Sequence, residues 1–232
     1  MRAEVGRIES LKAVARASTS RARSAAAMSL RASALALAAE EGLGECRYAL
    51  RIVPLQKQLR GRLTLEGETL FAPRLVPASG ELTALGVAAC TLGGALERRV
   101  RALFAERRPS LAMALDTLGN EMLTVVNRRV EERMQAKASR LGLQMAGELR
   151  PGDPGLGLDA QAAVLALSGG AQIGIRLSGD CLLEPVKSTT TVLGIGRELP
   201  ETSWSRCAEC RSRERCDWTR SRSARPESQA PP

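Results

Sequence analysis

The chain has 232 residues, a net charge of +9 and no histidine, a length that suits one domain or one domain with tails. Without histidine, imidazole acid–base catalysis and imidazole metal ligation are excluded, which leaves Asp, Glu, Lys, Cys and Tyr48 as the titratable chemistry. No apolar run approaches the ~20 residues that span a bilayer, and six cysteines with no export signal point to a reducing, cytoplasmic setting.

Residues 1–45 read as helix, with 1–30 as an N-terminal helical extension. Leu11, Val14 and Ala15 recur at helical spacing, and Met28 to Ala39 is rich in Ala and Leu. The Arg/Ser/Ala-rich start has the composition of a mitochondrial leader, but Glu4, Glu9 and Glu40 argue against that reading. Gly42 and Gly44 end the helix. Arg47 to Leu55 alternates Tyr48, Leu50 and Ile52 and predicts a strand. Gly61 to Phe71 predicts a hairpin turning at Glu66-Gly67. Leu85 to Thr91 is a short apolar run suited to a buried strand. It is followed by Leu92-Gly93-Gly94 and a helix with Leu96, Val100, Leu103 and Phe104 on one face.

The clearest helix runs from Leu111 to about Lys137. Leu111, Leu115, Leu118, Met122, Val126 and Val130 recur every three or four residues, and Asn127, Arg128, Glu131 and Glu132 fall on its wet side. Leu141, Leu143 and Met145 alternate as a strand. A Gly/Pro loop follows, Arg150 to Gly157, and then a short helix from Leu158 to Leu167, stopped by Gly169-Gly170. Ile173, Ile175 and Leu177 alternate with Gly174, Arg176 and Ser178, so 173–178 predicts a strand. Ser188 to Ile195, rich in Thr and Val, predicts another. Pro185 has no N–H and must lie outside the central ladder, which places Lys187 where a strand begins. The hairpins and the lack of strict βαβ alternation give the α+β class: an antiparallel sheet with helices packed over it.

Four places carry chemistry-bearing residues. The glycines of the 150–157 loop let backbone N–H groups approach a ligand, and Arg150 beside them can hold a carboxylate, although such a sequence also serves as a plain connecting loop. Lys187 reads by composition as a solvated charge, and Glu121 as a solvated or capping one. Cys207, Cys210 and Cys216 form a Cys-x-x-Cys pair with a third cysteine nearby. They suit zinc or an iron–sulfur cluster if a fourth ligand joins them, and otherwise remain reduced thiols. The Cys/Arg-rich tail spans 201–220, and the polar composition of 221–232 predicts a disordered end. The positive excess gathers in residues 1–31 and beyond Arg206. It suits nucleic acid or an acidic protein, but 2% aromatic residues leave little on which bases could stack.

Ile173-Gly174-Ile175, Leu177-Ser178, Leu183, Pro185, Lys187-Ser188 and Gly194 stand in one register. In that register the chain resembles the activation domain of vitamin-B12-dependent methionine synthase, particularly its free-standing relatives. The likeness covers roughly 30–218, with the domain itself at 31–200. Leu92-Gly93 with Leu96-Glu97 resembles the family's strand-to-helix turn. Asp116, Leu118 and Gly119 match its "D-A-L-G" helix, with Thr124 at the position of a glutamate expected near the ligand. Pro151-Gly152 matches its "R-x-x-P-G-Y" segment, and Leu158 and Gln161 follow in register. Glu148 stands where the family has Arg, and Asp153 where it has Tyr. Arg150 lies two positions further on, which is the same face of an extended chain.

The resemblance implies an S-adenosylmethionine site using Arg150, Pro151, Gly152, Lys187 and Ser188. It implies a cobalamin-binding methionine synthase or related corrinoid protein as partner, and an external one-electron reductant. The module would orient the methyl donor rather than perform acid–base work. Two other readings stand beside this one. The first is a non-catalytic docking protein of the same fold, favoured by Glu148 and Asp153. The second is a basic metal- or nucleic-acid-binding protein acting through its Cys/Arg tail.

Overall fold

A computed structural model describes residues 2–17 and 24–200. In chain order its main elements are β1 (Glu4–Glu9), α1 (Leu11–Ala17), α2 (Ala25–Glu40), β2 (Glu45–Pro54), β3 (Lys57–Leu59), β4 (Arg62–Leu65), β5 (Glu68–Phe71), β6 (Glu81–Thr91), α3 (Ala95–Ala105), α4 (Pro109–Arg140), β7 (Gln144–Leu149), α5 (Gln161–Ser168), β8 (Arg176–Leu177), β9 (Leu183–Glu184) and β10 (Ser188–Arg197). Five strands form an antiparallel sheet in the order β1-β2-β6-β10-β7. The α+β expectation, a sheet with helices packed over it, is what the structure has.

The sheet separates two apolar layers. On one face, α1, α2 and α3 pack against α4, and Leu50, Cys90, Leu193 and Ile195 look up from the strands into that layer. On the other face, the β3–β5 ribbon and α5 cover Val53, Leu85, Val87 and Val192. Helix α4 explains itself: Leu115, Leu118, Met122, Val126, Val130 and Met134 are all essentially inaccessible and lie on one stripe. Each such side chain contributes about 1.5–3 kcal/mol on burial. Pro109 opens the helix at a position whose N–H has no intrahelical partner, and Lys137 and Arg140 sit in its last turn, where the dipole favours positive charge. Strand β6, at the centre of the sheet, is buried along almost all of its length.

Three expectations fail. Residues 1–45 are not one helix, and the stretch assigned to an N-terminal helical extension begins with β1, which pairs with β2 from Glu4↔Leu50 to Glu9↔Glu45. The free edge of β2 offers a ladder that outweighs local helix propensity. Gly6 fits there because its bare α-carbon lies against the Tyr48 ring, where a Cβ would come within 2.5 Å. Second, 173–178 is not a strand of the main sheet. Gly170–Ile173 is a 3₁₀ turn ended by Gly174 at φ +84°. Ile173 and Ile175 are buried against Ala49, Ala89 and Leu165. Only Arg176–Leu177 is extended, paired with β9 in a separate two-stranded ribbon. Third, β7 starts at Gln144, because Leu141 caps α4 and is 63% exposed. The 188–195 strand is present as β10, at the heart of the sheet.

Candidate functional site

A cleft of about 290 Å³ opens where α4, the start of β10 and the end of β7 converge. Its walls are Asn120, Leu123 and Thr124 from α4, Val186 to Thr189 leading into β10, and Arg150 just after β7. That volume is at the small end of the ~300–1,000 Å³ typical of ligand pockets. Arg150, Lys187 and Ser188 are thus brought together, although they are far apart in sequence. Thr124 also faces the cleft, at the position where the resemblance expects a glutamate. Pro151 and Gly152 lie in the turn just beyond the wall.

Lys187 is not a solvated charge. It is 8% exposed, and its ammonium donates to Asn120 Oδ1 at 2.7 Å and pairs with Asp116 Oδ1 at 2.8 Å. Both partners lie on α4, so this lysine ties the start of β10 to the helix. Gly119 on the same helix packs against Leu96 of α3, where a Cβ would stand 3.1 Å from Leu96 Cδ2. The hydroxyl of Ser188 is engaged as well, 2.6 Å from the Pro185 carbonyl and 2.8 Å from Thr91 Oγ1. Both residues shape the wall, and their polar ends already have partners.

Arg150 differs. One terminal nitrogen meets Glu148 Oε1 at 3.1 Å, while its buried Nε–H has no hydrogen-bond partner among the described residues. A buried donor in that state costs free energy unless something accepts from it. The loop behind Arg150 is closed on itself. The Arg150 N–H donates to Asp153 Oδ2 at 2.8 Å, Gly152 N–H to the Leu156 carbonyl, and Asp153 N–H to the Arg150 carbonyl, each at 2.9 Å. Gly152 takes the left-handed conformation this turn requires, at φ +94°. Its N–H is therefore not directed at the cleft.

Beneath Arg150 lies a polar layer that the sequence pattern concealed. Asn127 is 3% exposed rather than on the wet side of α4. Its Oδ1 accepts from Thr191 Oγ1 at 2.9 Å, and its Nδ2 donates to Glu131. Burial, reinforced by the negative charge of Glu148, pushes Glu131 up to about 7, against the opposing pull of Arg150, Asn127 and Arg128. Glu131 likewise leaves the wet side for this layer. The available signal was the four-residue spacing of Asn127 and Glu131 opposite a Thr-rich strand.

Glu121 points elsewhere and pairs with Arg31 of α2 at 2.6 Å. Gln161 is buried on the opposite face of the sheet, where its Nε2 donates to Thr190 Oγ1 at 2.7 Å. Cys46 and Cys90 are buried thiols. Burial raises Cys46 to about 12 and Cys90 well above its ordinary value, so neither is a ready thiolate ligand. Among the described residues no group of three or more His, Cys, Asp or Glu is placed to hold a metal ion. Cys207, Cys210 and Cys216, with the 201–220 tail and the 221–232 end, lie outside the described residues. Among the described residues no helix is long and apolar enough to cross a membrane.

The architecture defines a class: a five-stranded antiparallel sheet carrying a long helix, with a polar cleft where that helix meets the start of a central strand. The chain is similar in structure to the MetH reactivation domain bound to AdoHcy, with a TM-score of 0.63 over 88% of this chain and 81% of that one, at 14% sequence identity. This likeness shows a shared fold. No protein-family model and no curated protein matches the sequence.

Proposed function

We propose that this chain is a stand-alone activation module that binds S-adenosylmethionine in the α4/β10/Arg150 cleft and supports reductive remethylation of a cobalamin-dependent methionine synthase or related corrinoid methyltransferase. The observation that carries the reading is Arg150, a guanidinium on the cleft wall whose buried Nε–H lacks a partner among the described residues. The bound AdoHcy of the structural neighbour adds support, because that ligand differs from S-adenosylmethionine only in the methyl group. S-adenosylmethionine would supply the methyl, and an external one-electron reductant would make the cobalamin on the partner able to accept it.

The residues present fit the amino-acid end of such a ligand in part. Arg150 can donate to its carboxylate through Nε–H and a terminal N–H, the parallel arrangement that makes guanidinium–carboxylate pairs strong. Lys187 and Ser188 fix the wall against which the ligand would lie, and Pro151-Gly152 fix the turn that aims Arg150. Thr124 and Asn120 offer neutral polar contacts. None of these side chains has to move a proton. Positioning and exclusion of water would be the protein's contribution.

A second reading has its own observation. Glu148 already meets Arg150, so the guanidinium is partly neutralised where a ligand carboxylate would need it. If that pairing wins, the chain is a docking protein of the same fold with a decayed ligand site. Equilibrium binding of S-adenosylmethionine separates the two. Saturable binding lost in Arg150→Ala supports the first, and no binding by the parent supports the second.

A further inference from the structure

A second hollow opens toward the other end of α4 from the cleft. It has a volume of about 250 Å³ and lies between the start of β1, the end of β2 and the last turn of α4. It shares no lining residue with the cleft, and the length of α4 from Asn120 to Lys137 sets the two about 25 Å apart. Its floor is apolar. Leu50 and Ile52 of β2 lie there on the face that carries α4, and Leu141, 63% exposed, completes it. Around that floor stand four cationic side chains, Arg2, Arg51, Lys137 and Arg140. Two of them are matched. Lys137 pairs with Glu4, which also accepts from the Tyr48 hydroxyl at 3.2 Å. The Arg51 guanidinium meets Glu66 at 2.7 Å and the Leu167 carbonyl at 3.1 Å. Among the described residues neither Arg2 nor Arg140 makes an ion pair, and Arg140 uses only Nε, which donates to the Ala136 carbonyl at 3.2 Å. Lys137 and Arg140 also complement the negative end of the helix dipole. That accounts for two of the cations, and not for Arg2 or for the apolar hollow beside them.

We propose that this hollow binds a free medium-chain carboxylate, with the alkyl chain on Leu50, Ile52 and Leu141 and the head group on Arg2 and Arg140. An apolar floor with a few polar groups at its rim is what a pocket for such a molecule needs. The planar guanidinium fork matches a carboxylate and donates to both of its oxygens. One negative charge fits better than two, because Glu4 stands in the wall and opposes a dianion more than a monoanion. The carbonyls that end α4 also repel an anion, so the head group belongs at the terminal nitrogens of Arg140 and not over the helix end. At ~30 Å³ per water-sized group the volume holds roughly eight groups, which sets the chain near octanoate. The bound molecule joins the approach to β1 to the end of α4, beside the Glu4–Lys137 pair. The site is thus a ligand-dependent tie between the N-terminal strand and the longest helix, and it does not depend on what the α4/β10/Arg150 cleft binds.

The experiment is calorimetric titration of the full chain with octanoate, octylamine and octanol, and with the straight-chain acids from butanoate to dodecanoate, all below micelle-forming concentrations. Octanoate should bind saturably at one molecule per chain, and octylamine and octanol about tenfold or more weaker. Affinity should rise by up to about fourfold per added methylene and level off once the hollow is full, near octanoate. Arg140→Gln should weaken octanoate binding by about tenfold or more, and Leu141→Ser should weaken it as well. Arg62→Gln, which removes an exposed cation of β4 on the other side of the sheet, should leave it unchanged. Arg140 and Leu141 are themselves exposed, and the chain-length series on the parent needs no substitution at all. No saturable octanoate binding overturns the proposal. So does octylamine binding as tightly as octanoate, an affinity that climbs without a break to dodecanoate, or octanoate binding untouched by both Arg140→Gln and Leu141→Ser. Vesicles of anionic phosphatidylglycerol form the last arm: capture on them without octanoate binding marks a membrane-facing patch and overturns the free-acid reading.

Discussion

Lys187→Met tests whether the lysine at the start of β10 is part of the frame. The substitution keeps most of the apolar stem and removes the ammonium. Two contacts go with it, the 2.8 Å pair with Asp116 and the 2.7 Å bond to Asn120. A hydrogen bond to a charged group is worth about 1.5–3 kcal/mol net, and breaking a buried pair costs about 3–5 kcal/mol when the remaining charge stays dry. Here Asp116 is 39% exposed on its side chain, so water rehydrates it and the lower end applies. The expected loss is about 2–3 kcal/mol, or roughly 4–12 °C in Tm for a domain of this size. Urea unfolding of the parent, Lys187→Met, Asp116→Asn and the double variant measures it. The double variant should lose clearly less than the sum of the singles, because they remove one interaction. A loss under about 0.5 kcal/mol for Lys187→Met, the level of an ordinary surface change, would refute the frame role and return Lys187 to the solvated reading.

Other outcomes follow from the same structure. Glu131 rises from 4.5 to about 7 on folding, so its proton binds the folded chain more tightly than the unfolded one. Its contribution is complete below pH 4.5 and is lost as pH rises through 7. Glu131→Gln should therefore match the parent near pH 4 and exceed it at pH 8, by at most about 3 kcal/mol; an unchanged pH slope of stability would contradict the burial of this carboxyl. If the Cys207, Cys210 and Cys216 set holds zinc or an iron–sulfur cluster, protein purified without chelator carries metal that a Cys207→Ser/Cys210→Ser variant lacks, and equal metal near zero in both leaves only thiols. A corrinoid-protein partner should be captured with weak salt dependence, whereas tight duplex binding that falls steeply with salt would favour the basic-tail reading.

The parts of the fold visible in the sequence were those set by local pattern. Helix α4 and strands β2, β4, β5 and β10 follow apolar periodicity and turn residues, so Leu115, Leu118, Met122 and Val126 could be placed without coordinates. Strand β1 could not, because its conformation comes from the free edge of β2, forty residues away, and not from its own residues. The alternation at 173–178 misled because Ile173 and Ile175 are indeed both buried, but through a turn at Gly174 rather than a ladder. In the cleft, the motif register singled out Arg150, Lys187 and Ser188, which the structure gathers. Their division of labour was not readable. Only the fold reveals that Lys187 gives its charge to Asp116 and Asn120, that Arg150 has an N–H unmatched among the described residues, and that Asn127 is buried between Thr191 and Glu131.

The ligand cleft itself is tested most directly by calorimetric titration of S-adenosylmethionine into the parent, Arg150→Ala and Glu148→Arg. Loss of a charge-assisted hydrogen bond costs about 1.5–3 kcal/mol, one to two decades of affinity. The account predicts saturable binding by the parent, loss of measurable binding in Arg150→Ala, and tighter binding in Glu148→Arg, which removes the competing carboxylate and adds a positive charge. Parent binding that Arg150→Ala leaves untouched would contradict the placement of the site. A parent that does not bind, while Glu148→Arg/Asp153→Tyr does, would mark a decayed site and a docking protein.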